Sequence, residues 1–216
     1  FFNIIIEIIK MITASESFIN KKVIITNKEL IDQYVNNNQS IILLAGHYNN
    51  WEWVGQNLAI NAQQQVVVIF KSLNNKFFNL LLRKVRKKFG AIPINMEESM
   101  RYILKSKNEC KIIGIIADQN PLVNNKTEWI SFFNREIPVF MGAEKIAKKM
   151  DYPVVFCNMQ KKKNGDYSIT FELLESNPKN TENGEITKRY FKRLEQQIIA
   201  DPSRWLWSHR RWKHKR

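Results

Sequence analysis

Cysteine is close to absent from this chain: Cys110 and Cys157 stand far apart and outside any CxxC or Cys/His cluster. That spacing argues against a disulfide framework and a structural zinc site, and it suits a reducing compartment in which both thiols serve as small apolar residues. Glycine is scarce as well, seven residues in 216, and they are scattered. No GxGxxG, GxxxxGK[ST] or GxSxG occurs. The loops that cradle a dinucleotide or a nucleoside triphosphate, or that present a serine nucleophile, are therefore missing together. Acidic side chains are outnumbered, twenty against thirty-four Lys and Arg, which leaves a net charge of +14. A surplus of that size points to anionic partners: nucleic acid, an anionic membrane, phosphorylated lipid or an acidic carrier protein. No secretory signal pattern is visible. The opening residues 1–12 are apolar but interrupted by Glu7 and Lys10, too short for the ~20 residues that span a bilayer. They read as an amphipathic helix that packs on the core or rests on a membrane. Because this pattern begins in mid-helix and without Met, an upstream segment is expected.

Hydrophobic residues make up 44% of the chain, enough for a globular core. Short β-branched runs predict strands over 23–26, 41–45, 66–70, 111–117, 153–157 and 167–173, the last alternating as an edge strand does. Between them, 28–36 (capped by Asn27), 50–60, 75–89, 97–105, 143–150 and 186–200 read as helices. Strand and helix alternate with short connections, so the expectation is an α/β fold: one domain, with a mainly parallel or mixed sheet flanked by helices. No repeat or interdomain linker is present, and 175–185 is a polar surface loop.

The most informative stretch is Gly46-His47-Tyr48-Asn49-Asn50-Trp51-Glu52, entered directly from the buried run ending at Ala45. His47 falls where a strand ends and Glu52 in the first turn of the next helix. A strand-to-helix bend can bring the two together, giving a general base with an orienting carboxylate. The competing reading is a capping box, Asn49 to Glu52, with an ordinary loop histidine. Asp118-Gln119 follows the run 112–117 in the same way, so it can reach the same crevice and position a basic residue or a substrate hydroxyl; alternatively Asp118 is a turn former ahead of Asn120-Pro121.

Two basic segments remain. Residues 76–89 form a basic amphipathic pattern in which Arg86 or Arg83 can turn inward as a bidentate anion ligand. The stretch 205–216 interleaves three tryptophans with Arg210, Arg211 and further basic residues. It suits a lipid headgroup zone, a phosphorylated ligand or single-stranded nucleic acid. His209 and His214 have no neighbouring Cys or carboxylate, which argues against a metal.

Together these residues resemble the late acyltransferases of lipid A biosynthesis, the lauroyl/myristoyl transferase family of the glycerolipid acyltransferase-like fold. The resemblance rests on the His47-x4-Glu52 element, Ala117-Asp118-Gln119, Phe132-Phe133-Asn134-Arg135 with Pro138 to Ala143, and Pro202-Ser203-Arg204-Trp205 onward to Lys213. It runs over essentially the whole chain. What it implies is an acyl chain passing from acyl carrier protein to a hydroxyl of a lipid A precursor. His47 would be the base and Glu52 its orienting partner, with an oxyanion donor from backbone N–H groups or an Arg. Arg86, Arg83, Asp118, Gln119, Arg210 and Arg211 become candidate substrate contacts, and no metal or organic cofactor is called for. The implied partners are the carrier protein, a phosphorylated glycolipid acceptor and an anionic membrane, at the cytoplasmic face of a bacterial inner membrane, with no nucleic acid. The same chemistry on a lysophospholipid or aminolipid is the alternative; a basic nucleic-acid-binding module leaves His47, Glu52 and Asp118 unexplained.

Overall fold

The computed structural model describes residues 2–215. Phe1 and Arg216, the ends of the predicted first helix and of the Trp/Arg-rich stretch, lie outside the described residues. Helices α1 (Phe2–Thr13) and α2 (Glu16–Lys22) lead into β1 (Val23–Ile25), α3 (Glu29–Asn36), β2 (Ile41–Ala45), α4 (Trp51–Asn61) and β3 (Gln65–Phe70). Next come α5 (Lys76–Lys87), β4 (Ile92–Asn95), α6 (Ser99–Lys105) and β5 (Lys111–Ile116). The chain continues through β6 (Glu128–Phe132), β7 (Arg135–Val139), α7 (Gly142–Met150), β8 (Val154–Lys161), β9 (Tyr167–Glu175) and α8 (Glu185–Ala200).

Seven strands form one mixed sheet in the order β1-β9-β8-β2-β5-β3-β4. Only β8 and β9 pair antiparallel within it; β6 and β7 make a separate hairpin. The expected α/β domain is thus present, with β2 and β5 at the centre. Both sheet faces are covered, which is why β2 is apolar throughout. Ile42, Leu44 and Ile113 point into a core shared with α7 and α8, whereas Ile41, Leu43 and Ile112 point into one shared with α2 and α4.

Local chemistry explains where several elements begin and end. Asn75 caps α5 by accepting the Phe78 N–H at 3.1 Å, and Gly90, at φ +93°, follows as the left-handed stop. Helix α8 starts without a cap from its own N-terminal residue. The buried Glu144 carboxylate of α7 serves instead, accepting the Gly184 N–H at 2.6 Å, the Thr187 N–H at 2.9 Å and the Thr187 hydroxyl at 2.6 Å.

Strand β9 is not the edge strand that its alternation predicts, since it lies between β1 and β8. The physical reason is that β1 covers only Tyr167 to Ile169. Past that point Asn27 takes over, accepting the Phe171 N–H and donating to its carbonyl, each at 2.8 Å. Asn27 is therefore engaged with β9 rather than capping α3, whose N-cap position is Lys28.

Candidate active site

The parallel register of β2 and β5 sets Ala45 against Ile116. Two residues further on in each strand, His47 and Asp118 emerge side by side at the carboxyl edge of the sheet, where open α/β sheets bind ligands. Asp118 Oδ1 lies 2.5 Å from His47 Nδ1. Its Oδ2 accepts the backbone N–H of His47 at 2.9 Å and the indole N–H of Trp205 at 2.8 Å. Asp118 is 2% exposed and His47 18%, so the carboxylate is sealed while the imidazole still reaches the surface of the cleft. Burial by itself would raise the Asp118 carboxyl. The His47 ring beside it, together with the hydrogen bonds from His47 and Trp205, outweighs burial and holds it down at about 2.

The backbone is shaped around this pair. A Cβ on Gly46 would come within 2.5 Å of Leu194 Cδ1, so any side chain here would force the end of Leu194 on α8 to shift, whereas Asp118 Oδ2, at 3.5 Å, would be an ordinary contact. Asn49 adopts φ +54° and anchors its amide on the Met159 carbonyl at 2.9 Å, turning the chain into α4. The N-cap residue is Asn50 and not Asn49, whose N–H is given to the Arg204 carbonyl, so the alternative capping box from Asn49 to Glu52 is not formed. With Nδ1 directed at Asp118, the tautomer that fits leaves the lone pair on Nε2, which sits 3.3 Å from the Gln119 amide nitrogen. Trp51 stands edge-on to the imidazole, ring centroids 4.8 Å apart.

Glu52 is not the partner of His47. It forms a bidentate pair with Arg86, whose Nε donates to Oε2 at 2.9 Å while Nη2 donates to Oε1. Burial tends to lower the guanidinium, but Glu52 more than offsets this and raises it, and the group lies 5.1 Å from the Phe70 ring centroid. The expected inward turn of Arg86 is thus present, but its anion is the protein's own. The reason is geometric: the first turn of α4 delivers Glu52 toward α5, whereas the β2–β5 register delivers Asp118 to the imidazole.

The remaining candidates divide. Gln119, Glu52 and Arg86 line the cleft with His47. Arg83 rests 5.7 Å from the Phe70 centroid. Arg210 is exposed, and its carbonyl accepts from the Asn120 amide at 3.1 Å. Arg211, expected to contact substrate, is fully buried and braces the turn after β5, donating to Asn120 Oδ1 at 2.9 Å and lying 4.9 Å from the Phe191 centroid. Burial lowers its guanidinium to about 10 despite the pull of Asp118 and Tyr190. His209 is likewise committed, its Nε2 accepting the Asn120 N–H at 3.1 Å, and burial followed by the charge of Arg211 pushes its pKa down.

The Trp/Arg-rich stretch is therefore folded into the domain. His47 C=O accepts the Leu206 N–H, and the Asn49 N–H donates to Arg204 C=O, each at 2.9 Å, as in an added strand. Trp205 and Trp212 pack against Phe132. Sequence reasoning missed Trp205 as a partner of Asp118, because only the fold brings the two together.

His47 opens onto a cavity of about 630 Å³. By sheet register and packing its lining divides into two arms, Leu43, Gly114 and Val68 on the sheet face toward α4 and Ile115, Met96 and Ile146 on the opposite side. The walls are mostly apolar, and His47, Gln119, the Glu52–Arg86 pair and the buried Gln56 and Ser99 are among their polar members. A polarised imidazole at the end of an oily cleft suits proton abstraction from a hydroxyl whose reaction partner carries an alkyl chain.

The profile of the bacterial lipid A biosynthesis acyltransferase family matches residues 1–214. The chain belongs to this family. Comparison with curated proteins one at a time finds no match. As a lipid A acyltransferase family member it is an acyltransferase, with an acyl donor and a lipid A-type acceptor in general terms. Among the described residues of this acyltransferase, no helix is long and apolar enough to cross a membrane.

Proposed function

We propose that this acyltransferase carries a fatty acyl chain from acyl carrier protein to a hydroxyl of a lipid A precursor, at the cytoplasmic face of a bacterial inner membrane. The observation that carries the reading is the His47–Asp118 pair at the mouth of the apolar cavity. His47 Nε2 takes the proton of the acceptor hydroxyl as its oxygen attacks the thioester carbonyl. The tetrahedral intermediate then collapses, the C–S bond breaks, and the departing thiolate takes the proton back from Nε2, leaving an ester and a free thiol. Asp118 holds the imidazole in the required tautomer and stabilises its transient positive charge, as the third member of a Ser-His-Asp triad does. Glu52 acts as a positioning residue through Arg86, whose guanidinium it fixes in the cavity wall where phosphate groups of donor or acceptor arrive. The arm past Gly114 takes the acyl chain, gaining about 0.8 kcal/mol for each CH₂ buried.

The test is transfer of a radiolabelled acyl group from acyl carrier protein to a tetra-acylated lipid A precursor. The expected result is label on the precursor with wild type and none with His47→Ala, whose circular dichroism stays that of the folded chain. Full activity in His47→Ala would overturn the reading. Label passing only to a lysophospholipid or aminolipid would keep the chemistry and change the acceptor.

A further inference from the structure

Helix α5 and the loop before it form one side of the cavity mouth, where Lys71, Asn74, Leu82 and Arg86 line the opening. Its inward face is conventional: Val85 is buried and Arg86 holds Glu52. Its outward face is not. Phe77 is 70% exposed, Leu80 67% and Phe78 54%, and the two phenyl rings stand edge to face with centroids 5.7 Å apart. Leu73, in the loop before the helix, is also exposed. Single exposed apolar residues are ordinary, but several large ones together on one convex element mark an interaction surface.

The order along the helix is informative. Phe77, Leu80, Lys84 and Lys87 follow one another at helical spacing on the outward side, so its first half is apolar and its second half basic. Lys71 and Lys76 flank the aromatic end. Lys88, at the other end, donates to the carbonyls of Ile12 at 2.9 Å and Ala14 at 2.6 Å, which ties in the end of α1 with its exposed Ile9 and Ile12. Across the mouth, the loop leaving Asn120 exposes Leu122.

We propose that the first two turns of α5 are a docking lip that enters the headgroup and outer acyl layer of an anionic bilayer. Phe77, Phe78 and Leu80 insert, and Lys84 and Lys87 meet lipid phosphates. Bulky apolar side chains standing out from a convex surface, with lysines on both sides of them, fit the headgroup zone of an anionic bilayer; an acidic protein would be met by cations at the centre of the patch, where this one carries Phe77, Phe78 and Leu80. The inference rests on the acyltransferase reading for its purpose: a lip at the mouth lets a lipid acceptor pass from the bilayer to His47 without crossing water.

The test compares the whole chain with Phe77→Ser/Leu80→Ser, with Lys84→Glu/Lys87→Glu, and with Leu173→Ser on β9 as an exposed apolar control. Each is sedimented with vesicles of phosphatidylglycerol and phosphatidylcholine, and with vesicles of phosphatidylcholine alone. Partitioning onto the anionic vesicles should fall on the order of tenfold or more in Phe77→Ser/Leu80→Ser, fall in the charge variant for anionic vesicles alone, and stay unchanged in the control. Transfer to detergent-dispersed acceptor should match wild type in Phe77→Ser/Leu80→Ser while transfer to vesicle-embedded acceptor drops. Equal vesicle binding by wild type and that variant would overturn the proposal, as would unchanged vesicle binding with loss of acyl carrier protein binding. If wild type transfers to no acceptor but the vesicle result stands, the acyltransferase reading fails and the docking lip does not.

Discussion

Asp118 is the residue on which the site turns. Its two oxygens serve the His47 ring, the His47 backbone N–H and the Trp205 indole. An amide cannot accept from all three, so Asp118→Asn should lower acyl transfer by about 10³-fold or more, by analogy with the loss of tautomer control in a triad. It should also cost about 1–3 kcal/mol of stability through an unmatched buried donor. The pH dependence has a definite sign. The carboxyl is held at about 2 in the folded chain against its ordinary 3.8, so its contribution is fully present above 3.8 and is lost as pH falls through about 2. Urea unfolding of wild type and Asp118→Asn across this range should therefore give midpoints that differ above it and converge below it. Sequence placed His47 and Asp118 correctly at the ends of two strands but assigned the orienting carboxylate to Glu52, five positions along the chain. Chain proximity misled because orientation is set across strands by sheet register, which no local pattern contains.

At the scale of elements, most of the architecture was legible, since both β2 and β5 are apolar runs and α3, α5, α7 and α8 carry clear stripes. What was not legible has identifiable causes. Strand β4 reads Ile92-Pro93-Ile94-Asn95 and lies at the sheet edge, the position where proline is tolerated but where it also disguises a strand. The β6–β7 hairpin turns at Phe133 and Asn134, both at positive φ; a phenylalanine there replaces the Asn-Gly that would have announced the turn. Strand β5 yields a prediction of its own. Gly114 sits opposite both Leu43 and Val68 and borders the cavity, and a Cβ there would meet only the Val67 carbonyl, at 3.7 Å. Gly114→Leu should fold but obstruct the arm beside α4. Assayed with acyl donors of graded length, it should discriminate against the longer chains by roughly tenfold or more relative to wild type. An unchanged length preference would place the acyl chain in the other arm.

Across the whole molecule, the segment after α8 acts as a second framework for the site rather than as a tail. It pairs with residues 47–49, brings Trp205 to Asp118 and covers Phe132 with Trp212. A chain cut after Ala200 should lose acyl transfer and cooperative thermal unfolding together, followed by near-ultraviolet circular dichroism from its clustered tryptophans. A truncated chain that kept a sharp transition would show the framework to be dispensable. This arrangement also sets a timetable. His47 meets Asp118 71 positions later, and Asp118 meets Trp205 87 positions after that. A growing polypeptide leaving the ribosome thus carries His47 long before the groups that hold it, and on the proposed mechanism it cannot modify any lipid it touches until nearly all of these residues have emerged and closed over one another.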